Sequence, residues 1–331
     1  MIGVAKKMIK TILVTGSSGT VGTALVQELM NKNYNVIPLD IKHSLWDKRI
    51  DKKTFFWDLR RPLHEVKLKP KPDLIIHLAA HARVHDLVVD PQKALDNYIM
   101  THNILEYARK NDVKRFLFAS SREVYGDSKI GIKRKESSTH VTKIQSPYTA
   151  SKFAAESLIH AYHNCYGIKP VIVRFSNVYG RYDVSERAVP LFIYYAKRNR
   201  TINIFGAEKK LDFTYTDDTT NGVILIVKKF DKIVPDTINI TSGKGIRIID
   251  VARIIIDNMK SQSKIRIGDK RTGEIAIFVA DITKAKKLLG YNPKVSLEEG
   301  IKLNIEWYLN AMKSRKIYEC QRRDLMRRGW A

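Results

Sequence analysis

Residues 10–22 read KTILVTGSSGTVG. An apolar run, Ile12-Leu13-Val14, stops at Gly16 in a turn of serine and glycine. VGTALVQELMNKN follows with apolar residues at helical spacing, so the stretch predicts a short buried strand, a tight turn and a helix. Gly16 permits the turn, Gly19 lets the backbone approach a pyrophosphate, and Gly22 lets helix and strand pack closely. With Thr20 and Val21 opening the helix, its N-terminus offers N–H groups and a positive dipole end to phosphates. A glycine trio alone also arises for steric reasons, and the context has to separate the two. Here a second strand, NVIPLD (35–40), ends in Asp40, about 20 residues on. An acid there accepts hydrogen bonds from ribose hydroxyls and repels a 2′-phosphate, which favours NAD; Lys42 nearby leaves NADP open.

Outward from this unit the rhythm repeats. PDLIIHLAA (72–80), RFLFAS (115–120) and PVIVRFSNVYG (170–180) read as strands, and the segments 91–111 and 146–167 between them as helices. Strands alternating with helices predict an α/β fold, a doubly wound parallel sheet with helices on both faces. After Gly180 short strands (INIF, FTYT, INI, KIRI) mix with helices around 187–199, 217–229, 248–259 and 297–312, as in a smaller α/β portion. The expected division is a dinucleotide-binding domain at 8–180, a substrate-binding portion at 181–312 partly interleaved with it, and a basic tail at 313–331.

Composition narrows the class. With 44% hydrophobic and 28% charged residues, the chain has the balance of a soluble globular protein. No apolar run is long enough to cross a bilayer. Cys165 and Cys320 have no metal-ligand spacing, which suits a reducing, cytoplasmic setting. The formal net charge of +25 admits nucleic acid, an anionic small substrate or simply lysine-rich solvated faces. The cations are scattered along the chain, which disfavours nucleic acid. No His/Cys/Asp/Glu cluster has metal spacing. His77 falls inside a strand and reads as a core histidine; His81 and His85 beyond it are left out of the site.

Tyr148 and Lys152 stand at i and i+4, on one face of a helix. A tyrosine of ordinary pKa is a poor base at neutral pH. A cation one turn away would bring its phenolate closer to working range. The pair gains weight from the dinucleotide turn upstream and from FASSREVYG (118–126), where a strand ends in hydroxyls and charges.

These pieces together resemble the extended short-chain dehydrogenase/reductase family, in its NAD-dependent nucleotide-sugar epimerase/dehydratase branch. The matching segments are TGSSGTVG, Asp40, Asp58-Leu59, HLAA (77–80), Asn97, SSREVYG, SPYTASK, VRFSNVYG, AVPLFI, INIFG, DFTYTDD, INITSGKG and RTGE with ADITKAKKLLGYNP. The resemblance implies a Rossmann domain carrying NAD and a C-terminal portion holding the nucleotide of a sugar nucleotide. It makes Ser121 the hydroxyl partner of the substrate O4, Tyr148 the acid/base and Lys152 a ligand of the nicotinamide ribose. It places Asp58 and Leu59 at the adenine, Ala79 and Ala80 at the pyrophosphate, Asn97 at the cofactor and Phe175 against the nicotinamide. Asn177 and Arg271 would meet the substrate diphosphate, with Val189, Arg122 and Glu123 also on the substrate side. Helices 91–110 and 147–166 would build a homodimer.

Two positions depart from the branch. Its usual arginine before the Asp-Phe pair is Leu211 here, preceded by Lys209 and Lys210. Arg181 and Tyr182 replace a Pro-Arg pair after Gly180. A third position bears on the reaction: Arg122-Glu123 stands where dehydratases of the branch carry Asp-Glu and decarboxylases Ser-Glu. An arginine cannot act as a general acid at neutral pH, which disfavours dehydration by that route and points to 4-epimerisation of a UDP-linked hexose, N-acetylhexosamine or uronic acid. Glu123 keeps a 4,6-dehydratase or decarboxylase open. Arg122 either pairs locally with Glu123 or Asp127, or faces substrate and favours a C6 carboxylate. A non-catalytic NAD-binding protein that holds a polyanion is the third reading, and the intact Ser121, Tyr148 and Lys152 speak against it.

Overall fold

The computed structural model describes residues 8–64 and 66–314, so only the first two residues of the expected tail, and not Cys320, fall within it. The chain runs β1 (Thr11–Thr15), α1 (Thr20–Asn31), β2 (Asn35–Asp40), α2 (Lys48–Lys53), β3 (Phe55–Phe56), β4 (Leu74–His77), α3 (Val84–Val89), α4 (Gln92–Lys110), β5 (Arg115–Ser121), α5 (Pro147–Tyr166) and β6 (Lys169–Phe175). It continues through β7 (Asn177–Tyr179), α6 (Ala188–Ala196), β8 (Ile202–Phe205), β9 (Lys210–Tyr215), α7 (Thr216–Ile233), β10 (Asp236–Ile240), β11 (Gly245–Arg247), α8 (Ile248–Asn258), β12 (Ile265–Gly268), α9 (Thr283–Leu289) and α10 (Leu297–Ala311).

Seven strands form one parallel sheet in the order β10-β6-β5-β4-β1-β2-β3. A parallel sheet is covered on both faces, so its strands are apolar throughout; β1 and β4 are buried at every residue. One face packs on α1, α7 and α9 through Leu25, Val26, Leu29, Val223, Val227, Phe230 and Leu289. The other packs on α4 and α5 through Ile104, Leu105, Ala108, Ala155 and Ile159. Strand order reverses at β1 and β4, and in such sheets ligands bind in the crevice beyond the carboxyl ends of the strands. Gly16, Ala79, Ser121 and Phe175 all lie at those ends.

A three-stranded sheet, β11-β9-β7, and a two-stranded pair, β12-β8, share a second core with α6, α8 and α10. Phe192, Ile193, Val251, Ile255, Ile301 and Tyr308 fill it. Strand β10, from beyond residue 180, completes the first sheet beside β6.

The stretch 170–180, read as one strand, is two. β6 ends at Phe175, and β7 pairs with β9 in the other sheet. The Ser176 hydroxyl donates to the Asp212 carbonyl (2.6 Å), and Asn177 Nδ2 donates to the same oxygen (3.1 Å). That grip on β9 turns the chain out of the first sheet. Local apolar patterning marks both halves as extended but carries nothing about which sheet each joins.

Helix ends follow their local chemistry. In α5 Ser146 caps the Thr149 N–H, Pro147 takes the first turn, and Gly167 closes the helix in the left-handed region, where glycine carries no Cβ penalty. Among the described residues no helix is long and apolar enough to cross a membrane.

Candidate active site

The turn after β1 is built by steric exclusion. Gly16 has φ +71°, and a Cβ there would lie 2.7 Å from the Ala79 nitrogen. A Cβ at Gly22 would lie 2.0 Å from the Gly16 carbonyl oxygen, so the turn, the start of α1 and the end of β4 are locked together. Gly19 differs: the Gly16 oxygen, 3.4 Å away, is the one heavy atom a Cβ there would meet. The space over Gly19 is open, at the head of a helix whose first-turn N–H groups have no side-chain cap. That combination fits a dinucleotide pyrophosphate.

Asp40 stands at the end of β2 and is held by backbone donors: Ser18 N–H to Oδ2 (2.9 Å) and Lys42 N–H to Oδ1 (2.9 Å). A carboxylate oxygen accepts more than one bond, so each keeps capacity for a ribose hydroxyl. Asp58 is gripped by Arg60 through both oxygens, and that hydrogen bonding holds its carboxyl below the usual range despite partial burial. Leu59 is buried, and its carbonyl accepts from Asn103.

At the end of β4 the Thr15 hydroxyl is shared between the Ala79 N–H (3.2 Å) and His77 Nδ1 (2.7 Å); Ala80 follows in the same bend. Thr101 sits on the other ring nitrogen of His77 at 3.3 Å. Burial, with the nearby Lys152 charge, pushes His77 down to about 3. It is a neutral core histidine. Asn97 spends its amide on the neighbouring loop and on α5: its oxygen accepts from the His81 N–H (2.7 Å), and its Nδ2 reaches the His81 carbonyl and Ser151. It shapes the loop beyond β4 from within α4.

Ser121 ends β5 directly opposite Phe175 on β6. Its hydroxyl accepts the Glu123 N–H (3.2 Å) and lies near enough to the Tyr148 phenol to favour its ionised form. Tyr148 enters from the first turn of α5 and is buried. Burial raises its phenol pKa and the Glu123 charge adds to the rise; the nearby Ser121 hydroxyl and the charges of Arg187 and Arg122 oppose it. Lys152 Nζ donates to the Ala119 carbonyl (2.9 Å) and lies 4.8 Å from the Phe118 ring centroid. Burial pulls it down to about 8 against the Glu156 charge. Glu156 is engaged by Ser120 and, through both oxygens, by Arg174. A buried pair of this kind is costly to break from one side, and it pins α5 to β5 and β6.

On the far side of Ser121, Arg122 Nη2 lies 2.9 Å from Glu123 Oε1 and 3.4 Å from Asn177 Oδ1, and its guanidinium faces Phe278. Arg122 thus pairs locally while lying against Asn177. Arg122 Nη1 and Glu123 Oε2 are both buried without a hydrogen-bond partner. Burial raises the Glu123 pKa against the pull of Arg122. Val189 is buried within α6 in the second core. Arg271 lies with its guanidinium carbon 3.9 Å from the centroid of Phe205, and its Nη1 is 3.8 Å from Glu274 Oε1. Lys209 pairs with the other oxygen of Glu274.

Residues 12–241 match the sequence profile of the NAD-dependent epimerase/dehydratase family. The chain belongs to that family. A putative UDP-glucose 4-epimerase of Methanocaldococcus jannaschii is 33% identical over 308 residues, covering 90% of this chain and 98% of the relative. The structure of UDP-glucose 4-epimerase from Thermotoga maritima, with UDP-glucose, is similar at a TM-score of 0.83 and 29% identity, covering 91% of this chain and 99% of that one. The UDP-glucuronic acid 4-epimerase of Bacillus cereus, in complex with UDP-glucuronic acid and NAD, aligns at a TM-score of 0.80 and 26% identity, with the same coverage.

Within this family member, two charged groups at the site, Arg187 and Glu274, lie outside the sequence-predicted set. Arg187, ahead of α6, acts on Tyr148 across the site. Glu274 meets Lys209 from 65 residues away. No periodicity or short motif records contacts of that span; the RTGE segment and the lysines before Leu211 were the available signals. Arg181, the unassigned residue after Gly180, pairs with Asp217 at 2.7 Å on an exposed surface. Among the described residues no group of His, Cys, Asp and Glu could hold a metal ion.

Proposed function

We propose that this chain is an NAD-dependent nucleotide-sugar 4-epimerase acting on a UDP-linked sugar. The observation that carries the reading is the placement of Ser121, at the carboxyl end of β5, beside the buried Tyr148 and Lys152 of α5, on the same edge as the open backbone at Gly19. The 4-epimerase relatives support the substrate class.

Gly16, Gly19, Thr20, Val21 and Gly22 would cradle the NAD pyrophosphate, Asp40 the adenosine ribose, Asp58 and Leu59 the adenine, and Ala79, Ala80, Asn97 and Phe175 the rest of the dinucleotide. NAD supplies a reversible hydride acceptor. Tyr148 removes the sugar O4 proton and returns it after the ketone has turned over, so no net redox change results. Because burial raises its phenol, Tyr148 is protonated in the free protein and depends on nearby cations to release the proton. Ser121 holds O4 in line with that phenol. Lys152, anchored on Ala119, would hold the nicotinamide ribose. Asn177 and Arg271 hold the substrate's diphosphate, as a guanidinium suits bidentate phosphate contact.

Proton NMR of the purified protein with UDP-glucose, UDP-N-acetylglucosamine and UDP-glucuronic acid tests this. A C4 epimer of unchanged mass from one of them is expected, with kcat for Tyr148→Phe lower by at least about 10²-fold. A product lighter by water or CO₂ would replace the reading with dehydration or decarboxylation. That alternative has one observation in its favour: Glu123 carries a buried, unpartnered oxygen beside Ser121.

We also propose a homodimer through α4 and α5, in a cytoplasmic setting. Leu95 on α4 and Val89 just before it are exposed large apolar residues, of the kind a partner surface covers. A light-scattering mass of one chain would contradict the dimer.

A further inference from the structure

Strand β9 places an apolar residue where a phosphate-binding cation is expected. Leu211 is buried in the second core. Side chains alternate along a strand, so Lys210 points away from that side. It lines a separate cleft of about 280 Å³ with Lys129, Lys133 and Lys244. Lys209, in the turn just ahead of β9, is itself buried.

The partner of Lys209 is unusual in its placement. Glu274 gives one oxygen to Lys209 and lies with the other 3.8 Å from Arg271 Nη1. Tight turns deliver both cations: Gly206, at φ +87°, opens the turn whose fourth residue is Lys209, and the Glu274 N–H donates to the Arg271 carbonyl (3.4 Å). The face of Phe205 fixes the Arg271 guanidinium plane. One carboxylate thus bridges two cations brought from distant segments, as a doubly charged anion would do better.

Resting on the nucleotide-sugar reading, we propose that Lys209 joins Arg271 in holding the substrate's diphosphate, and that Glu274 occupies the cation pair until the diphosphate displaces it. Binding is then an exchange of anions. The carboxylate keeps Lys209 from being buried unpaired in the empty site, and it lowers the affinity for diphosphate by competing with it. Lys209 supplies from the preceding turn the charge that Leu211 does not.

Isothermal titration of the full chain with UDP, with uridine as the probe lacking phosphates, tests the exchange. Lys209→Met should weaken UDP roughly tenfold or more and leave uridine unchanged, while Lys209→Arg retains most of the affinity. Glu274→Gln should tighten UDP several-fold, lower the thermal midpoint of the free protein, and raise the shift in midpoint that UDP produces. UDP binding indifferent to both Lys209→Met and Glu274→Gln would overturn the placement and leave the nucleotide-sugar reading intact. Equal losses of UDP and uridine would also overturn it, by making the pair a structural tie. If the wild type binds none of UDP, dTDP, GDP or CDP, the nucleotide-sugar reading falls and this inference falls with it.

Discussion

The two sides of the crevice are made of different materials. The side proposed for the cofactor is mostly backbone: a glycine turn packed on itself and on the residues just after β4, an uncapped helix end, and a carboxylate held by two main-chain N–H groups. The side proposed for the substrate is mostly long charged side chains. Arg122, Glu123, Lys209, Arg271 and Glu274 come from three separate stretches of chain and meet in pairs. Backbone positions are fixed by sterics and vary little with pH or salt. Buried ion pairs depend on every member being present and charged. The first side is thus a rigid template, and the second a set of coupled charges that a substrate can rearrange.

Glycine substitutions give the largest expected effect and probe the template. Gly22→Ala would force a Cβ to 2.0 Å from the Gly16 oxygen, a backbone clash that should cost of order 4 kcal/mol or more. Gly19→Ala meets no such wall and should change stability by less than about 1 kcal/mol while weakening NAD. Thermal unfolding and NAD titration of both proteins separate the two, and equal losses of stability would break the description of Gly19 as open cradle.

Next in size is the removal of one charge from the other side. Arg122→Met leaves Glu123 buried without its cation, which should cost about 3 kcal/mol near neutral pH. The sign with pH is set by Glu123, whose pKa burial already raises above 4.5 and which the substitution raises further. The folded form then holds its proton more tightly than the unfolded chain. Stability is therefore lost as pH climbs above about 4.5 toward the raised value, and Arg122→Met should be nearest to wild type in acid. Chemical denaturation at several pH values measures this; a loss equal at all pH values would mean that packing, not charge, is what Arg122 supplies. Adding Glu123→Gln should recover much of the loss.

The smallest effect marks the edge of the network. Arg181 and Asp217 pair on an exposed surface, where such bridges contribute little. Arg181→Ala should shift stability by less than about 0.5 kcal/mol and leave kcat/KM unchanged in a turnover assay. A large fall in kcat/KM would extend the charged side of the site as far as α7.

Much of this molecule could be read along the chain. β1 and the helix after it, β2, the strands β4, β5 and β6 with α4 and α5 between them, and the glycine turn all follow from periodicity and from residues with few conformational options, whereas the short α2, β3 and α3 were not read. Ser121, Tyr148 and Lys152 were legible because each stands at a strand end or on one helix face, and the family resemblance supplied their roles. His77 was read as core for the right reason. The break at Ser176 was not legible, because both halves of 170–180 are extended and apolar, and only the grip of Ser176 and Asn177 on Asp212 divides them. The charge expected to favour the Tyr148 phenolate was that of Lys152; the charges of Arg187 and Arg122 also act on the phenol in that direction.

What the amino-acid sequence determined alone is the part governed by local sterics and hydrogen bonding: where the long helices and the apolar strands of the first sheet run, where glycine must stand, and which helix end follows the glycine turn. Which sheet β7 joins, the return of β10 to the first sheet, and the meeting of Lys209 with Glu274 and Arg271 were decided only by the tertiary structure. A backbone turn depends on neighbours a few residues away, whereas an ion pair depends on Coulomb attraction through space, which takes no account of distance along the chain.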